Sequence, residues 1–107
     1  MGERHTVARA LKRVAESDDM AYGVLLRHGT MELGFYTPDG VDPQQPHSQD
    51  EIYIVQSGIG TFICGGERQA FEPGEALFVP AGVEHRFVDF SEDFSAWVVF
   101  YGPDGGE

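Results

Sequence analysis

Between residues 6 and 15, apolar side chains recur at the spacing of one helix face: Val7, Ala10, Leu11 and Val14, with Thr6 placed to cap the first turn. The spacing predicts one helix. From Tyr22 onward the period changes to short apolar or alternating runs, at 22–28, 31–37, 51–56, 61–64, 68–71, 76–79, 85–90 and 95–101. His28-Gly29-Thr30 links the first two runs as a hairpin. Ser57-Gly58-Ile59-Gly60, Gly65-Gly66, Pro73-Gly74 and Pro80-Ala81-Gly82 supply the later turns. Many short strands with turn residues between them, and no second helix, predict an all-β antiparallel sandwich or barrel. The expected organisation is one domain over 1–107. It has a helical segment at 1–20, a β body at 21–102, and a tail at 103–107 that is expected to fray.

Composition narrows the function classes. The apolar fraction of 41% over 107 residues suits one compact domain with a modest core. The apolar runs are too short to span a bilayer and no apolar leader opens the chain, so a cytoplasmic location is expected. A single cysteine, Cys64, makes no internal disulfide and reads as a small buried hydrophobe. Net charge is −11, and four of the seven basic residues (Arg4, Arg9, Lys12, Arg13) precede position 14. The acidic body argues against nucleic acid or an anionic membrane as partner. The basic helix beside it is a surface for docking within the chain or across a dimer.

The chemistry concentrates in Gln45-Pro46-His47-Ser48-Gln49-Asp50-Glu51 and in His85. If the first run stays extended, alternation puts Gln45, His47, Glu51 and Tyr53 on one face. His85 begins a second alternating run. Two imidazoles and a carboxylate converging from different strands form a metal-site composition that leaves coordination positions open. His5 and His28 lack such neighbours and read as structural. Tyr53, Phe62, Phe78, Phe87 and Trp97 are core residues singly; together they predict a mostly apolar pocket beside the metal. There is no Gly-x-Ser-x-Gly elbow and no Gly-x-x-x-x-Gly-Lys phosphate loop. The residues leave open whether the chain is an enzyme.

Residues 40–89 resemble the cupin superfamily, in particular small single-domain cupins of the cupin 2 conserved-barrel type. Gly74-Glu75-Ala76-Leu77-Phe78-Val79-Pro80-Ala81-Gly82-Val83-Glu84-His85 matches one motif of that family, with Asp89 where an Asn usually closes it. The other motif is matched at His47, Glu51 and Gly58. Gly40 stands one residue too close, and Gln45 replaces the first of two histidines. The resemblance implies a small β-barrel or jelly roll holding one divalent metal (Fe, Mn, Ni, Co or Zn) through His47, Glu51 and His85. Gln45 would then be a weak or water-mediated ligand. It also implies a homodimer and a small-molecule ligand or substrate, with oxygenase or isomerase chemistry. The alternatives are a non-enzymatic ligand-binding cupin whose metal site is structural or vestigial, and a protein–protein or storage role.

Overall fold

The computed structural model describes residues 2–19 and 21–107; Met1 and Met20, inside the expected segment 1–20, lie outside the described residues. Helix α1 (Val7–Glu16) forms where the apolar spacing predicts it, and the Thr6 hydroxyl accepts from the Arg9 amide at 3.2 Å. The strands follow as β1 (Tyr22–His28), β2 (Met31–Tyr36), β3 (Asp50–Ser57), β4 (Gly60–Cys64), β5 (Glu67–Phe71), β6 (Ala76–Val79), β7 (His85–Val88) and β8 (Ser95–Tyr101). They make a five-stranded sheet, β1-β2-β8-β3-β6, facing a three-stranded sheet, β5-β4-β7, with every pairing antiparallel. This is a jelly-roll sandwich. Among the described residues no strand pairing joins the two sheets, so the barrel is not closed by hydrogen bonds.

Alternation decides what each strand gives the interior. On β3, Glu51, Tyr53 and Val55 point inward; on β8, Ala96, Val98 and Phe100 do the same. These side chains join Phe62, Phe71, Phe87 and Phe94 in the main core. The aromatic rings stack edge-on or tilted, with Phe87 as the hub: 4.7 Å from Phe94, 4.9 Å from Tyr53 and 5.0 Å from Phe62. Each such pair adds about 0.5–1.5 kcal/mol beyond its buried area. Gly34 makes room on the inner face of β2, because a Cβ there would meet the Tyr22 hydroxyl at 2.1 Å.

The outer face of the larger sheet explains two departures from the sequence expectation. Phe78 pairs with Ile52, and Trp97 pairs with Phe35 and Ile54, so all five sit on the strand parity that faces away from the core. Trp97 stacks on Phe35 at 4.8 Å under α1, in a second small core with Ala10 and Leu25. Phe78 lies beyond the helix and remains 50% exposed. Neither faces the cluster of His47, Glu51 and His85. β8 is the central strand of its sheet.

The tail is held in place. The Gly105 amide donates to the Ser48 carbonyl at 2.6 Å, the Ser48 hydroxyl meets Asp104 at 2.8 Å, and the Glu107 amide donates to Asp50 at 2.9 Å. Three bonds, two to Ser48 and one to Asp50 at the start of β3, replace the expected fraying.

Candidate metal centre

The segment from 37 to 49 forms no strand, because Pro38, Pro43 and Pro46 withhold the amide donors a ladder needs. His47 therefore stands on a loop, and its position is set by partners. Its carbonyl accepts from the Gly82 amide at 2.7 Å, where Gly82 adopts φ +78°, a left-handed conformation costly for any side chain with a Cβ. The Ala81 amide donates to Asp50 at 2.9 Å. The Pro80-Ala81-Gly82 turn thus ties the two histidine-bearing motifs together. Glu51 is the second residue of β3 and His85 the first of β7, each pointing inward by strand parity.

These elements bring ligand atoms of His47, Glu51 and His85 within 4.8 Å of one another. The His47 and His85 ring centroids are 5.5 Å apart. Glu51 is 1% exposed and His85 3%. Glu51 Oε1 lies 3.2 Å from His85 Nε2, at ion-pair distance but without hydrogen-bond geometry. Both Glu51 carboxylate oxygens, and His47 Nε2, are buried without a hydrogen-bond partner. A buried carboxylate with no donor is costly, by several kcal/mol in order of magnitude. The donor set fits a divalent cation, which would give all three atoms a partner at once.

A second layer of polar groups surrounds this cluster, and the sequence reading missed it. Asp42, 5% exposed, accepts from the Tyr36 hydroxyl at 2.6 Å, the Phe87 amide at 2.7 Å, the Gln44 amide at 3.0 Å and Gln44 Nε2 at 3.1 Å. Phe87 lies on β7, an edge strand, and Asp42 satisfies a donor that has no neighbouring strand. With its amide nitrogen held by Asp42, Gln44 turns its oxygen to the Tyr53 hydroxyl, which donates to it. The same hydroxyl lies 3.0 Å from His85 Nε2. One phenolic proton serves one acceptor. With it committed to Gln44, Nε2 donates to the phenol oxygen while Nδ1 donates to the Val83 carbonyl at 3.0 Å.

That doubly donating ring agrees with its titration. Burial alone would disfavour the charged form, but the Glu51 carboxylate, the Val83 carbonyl and the Asp42 charge outweigh it and hold the His85 proton above the usual range. Burial, and then the Glu51 charge, hold the Tyr53 phenol protonated far above the ordinary range. The signal for the second layer was Asp42-Pro43-Gln44, an aspartate whose carboxylate accepts from the amide two residues on. Its long-range partners left no mark on the local sequence.

A cavity of about 450 Å³ opens onto His47 and Glu51. Its walls are not the rings that the sequence suggested would line it. Tyr53, Phe62 and Phe87 are buried behind the site in the core, while Phe78 and Trp97 are on the outer face. The cavity is lined instead by Tyr22, Glu32, Tyr36, Gln44, Val98 and Phe100, with Asp19 and Gln45 also on its wall. Gln45 is exposed, and on an irregular loop the two-residue alternation that would have turned it beside His47 does not operate. Gln44, its neighbour, is the glutamine that reaches inward.

The chain is similar to known proteins in sequence and in fold. The Cupin_2 family, described as a cupin domain, matches residues 33–100. A protein of Streptomyces coelicolor called uncharacterized protein SCO3923 is 41% identical over 90 residues, covering 82% of this chain and 86% of its own. A cupin 2 conserved barrel domain protein from Salinispora arenicola superposes with a TM-score of 0.69 at 20% identity, covering 95% of this chain and 89% of its own. KdgF from Halomonas superposes with a TM-score of 0.65 at 20% identity, covering 74% of each chain. At 20% identity the two superpositions establish the fold alone. Two tied motifs, a jelly roll and a family match over more than half the length lead to one conclusion: this chain belongs to the cupin family.

Proposed function

We propose that this chain is a small metal-dependent cupin that holds one divalent ion through His47, Glu51 and His85 and acts on a small organic molecule, as an oxygenase or an isomerase. The observation that carries the reading is the set of buried, unpartnered ligand atoms on Glu51 and His47 beside His85. A bound divalent ion supplies Lewis acidity and a place for an oxygen donor to bind. The chain's own residues do the rest. On loading, Nε2 of His85 would lose its proton, while the Val83 carbonyl keeps the other on Nδ1, so that Nε2 is the nitrogen facing the cluster. Tyr53, oriented by Gln44 and through it by Asp42, holds a hydroxyl beside that nitrogen. A cavity of about 450 Å³ limits the substrate to a small molecule.

The test is elemental analysis of protein purified without chelator, with His47→Ala and Gln45→Ala in parallel. The expected result is near-stoichiometric metal in wild type and in Gln45→Ala, and none in His47→Ala. Wild type that stays empty after reconstitution with each ion would overturn the reading.

A second reading is a non-enzymatic ligand-binding cupin with a structural or vestigial site. It is favoured by the contacts that His85 Nε2 already makes to Tyr53 and Glu51. Azide added to cobalt-reconstituted protein separates the two: a changed visible spectrum indicates an exchangeable position, and an unchanged one a closed site. Pairing into a homodimer belongs to the same proposal. Its support is the outer face of β3 and β6, where Ile54 and Phe78 are exposed beyond the reach of α1.

A further inference from the structure

Three consecutive residues separate His47 from Glu51, and each is bonded to the segment 102–107. Ser48 accepts from the Gly105 amide at 2.6 Å through its carbonyl, and its hydroxyl donates to Asp104 at 2.8 Å. The Gln49 side-chain amide donates to the Gly102 carbonyl and to the Thr30 carbonyl, both at 2.9 Å. Asp50, which is buried, accepts from the Glu107 amide on one oxygen and from the Ala81 amide on the other, each at 2.9 Å. The segment is also fixed in itself. The Gly106 amide donates to the Pro103 carbonyl at 3.1 Å, and the Gly102 amide to the Thr30 hydroxyl at 3.0 Å. Its backbone packs closely on the site's supports: a Cβ at position 106 would meet Asp50 Oδ1 at 2.9 Å and the Ala81 Cβ at 3.3 Å.

We propose that 102–107 is a strap that positions His47 against Glu51 and His85, so that metal retention depends on a segment that supplies no ligand. The loop is the physical reason. No ladder fixes His47, because the prolines keep 37–49 out of both sheets. A ligand on an unanchored loop must be ordered as the metal binds, and that entropy loss lowers affinity. A strap formed with the fold removes the loss beforehand. Asp50 is its junction, since one carboxylate joins the Glu107 amide to the turn that carries Gly82, and Gly82 in turn holds the His47 carbonyl. The strap thereby reaches all three ligand-bearing segments: His47 through Ser48, Glu51 through Asp50, and His85 through the turn three residues before it. The inference rests on the metal-site reading and names its positioning residues as Ser48, Asp50, Asp104 and Gly105.

Two readouts on the full-length chain test this. One is amide hydrogen exchange at Gly82 in metal-free protein, which reports whether the His47 carbonyl stays in place. The other is the rate at which cobalt-loaded protein loses its ion to excess chelator. The variant is Asp104→Ala/Gly105→Val. At φ +94° a β-branched residue is strained, and a Cβ at position 105 touches nothing, so the substitution shifts the strap without pushing on the site. Both rates are expected to rise about ten-fold. Asp104→Ala alone should raise them about two-fold, whereas Asp104→Asn, which keeps an acceptor for the Ser48 hydroxyl, should retain the wild-type rates. Phe94→Ala weakens the fold through its aromatic core and should leave cobalt loss from folded protein at the wild-type rate, which separates the strap from general stability. Unchanged exchange at Gly82, unchanged cobalt loss, or an Asp104→Asn variant as fast as Asp104→Ala would each overturn the proposal. A wild type that takes up no cobalt refutes the metal reading alone, and exchange at Gly82 in the metal-free protein then decides the strap by itself.

Discussion

The interior of the sandwich has a dry end and a wet end, built by the same strands. At one end Phe71, Phe87, Phe90 and Phe94 pack ring on ring at 4.7 to 5.5 Å. At the other, Glu51, His85 and His47 cluster, Asp42 accepts from Tyr36, and Glu51, His47 and Tyr36 line a cavity. β3 crosses from one to the other within five residues, from Glu51 through Tyr53 to Val55. Tyr53 stands at the boundary, its ring against Phe87 and its hydroxyl in the polar network. The two ends divide stability and function. Packing at the dry end holds the fold, which leaves the wet end free to keep buried groups that a stability-driven core would exclude.

The comparison breaks most sharply under substitution. Phe94→Ala removes a ring from the dry end and is expected to cost about 3–5 kcal/mol in denaturant unfolding, with metal stoichiometry unchanged in the folded fraction. Asp42→Ala comes next, at about 2–4 kcal/mol, because it strands the Tyr36 hydroxyl and the Phe87 amide without an acceptor. It should also weaken metal retention, since Gln44 and Tyr53 lose their anchor; an unchanged metal affinity would show that the second layer does not position the site. Glu51→Ala is expected to abolish metal binding while changing metal-free stability by only about 1 kcal/mol, because relief of the undonated buried carboxylate is offset by the cavity left behind and the charge lost beside His85. Circular dichroism melts beside elemental analysis check all three.

The pH dependence sharpens the contrast at the wet end. The folded pKa of His85 is raised, so in metal-free protein its stabilisation is complete below the unfolded value and is lost as pH rises through the folded one. Coordination requires the lone pair of Nε2, so metal-derived stabilisation has the opposite slope and is lost as pH falls. Melting temperature from about pH 5.5 to 8.5 should therefore fall with pH in the metal-free protein and rise in the loaded one. Parallel curves would remove His85 from the ligand set. The smallest stability effect is on the outer face: Phe78→Ser should alter monomer stability by no more than about 0.5 kcal/mol, yet convert a dimer to a monomer in light scattering.

Much of this was legible before folding. The helix, the hairpin at His28-Gly29-Thr30 and the strands from Asp50 to Tyr101 follow from period and punctuation, because each is a local property of the backbone. Glu51 and His85 were legible for the same reason: strand parity points them inward. His47 was reached through its spacing to Glu51 and the family resemblance, although it lies on a loop. The failures share a cause. Strand alternation was extended to Gln45 in a segment that has none, although Gln45 does reach the cavity wall, while Phe78 and Trp97 were taken as interior although their parity is opposite to that of Tyr53 and Val98. Tail residues 104–107 carry no period, so nothing local announced their bonds to Ser48 and Asp50.

Taken alone, the sequence determined which residues share a face, where the chain turns, and which three side chains form a metal-binding composition. The tertiary structure alone decided which end of the sandwich is filled with rings and which is left polar. It alone brought Asp42 to an amide 45 residues away, tied Gln44 to Asp42, and set Asp19 and Glu32 on the wall of one cavity. Local periodicity records a residue's own backbone geometry. The partners of a loop carboxylate are set by where distant strands pass, and only the packed sheets fix that.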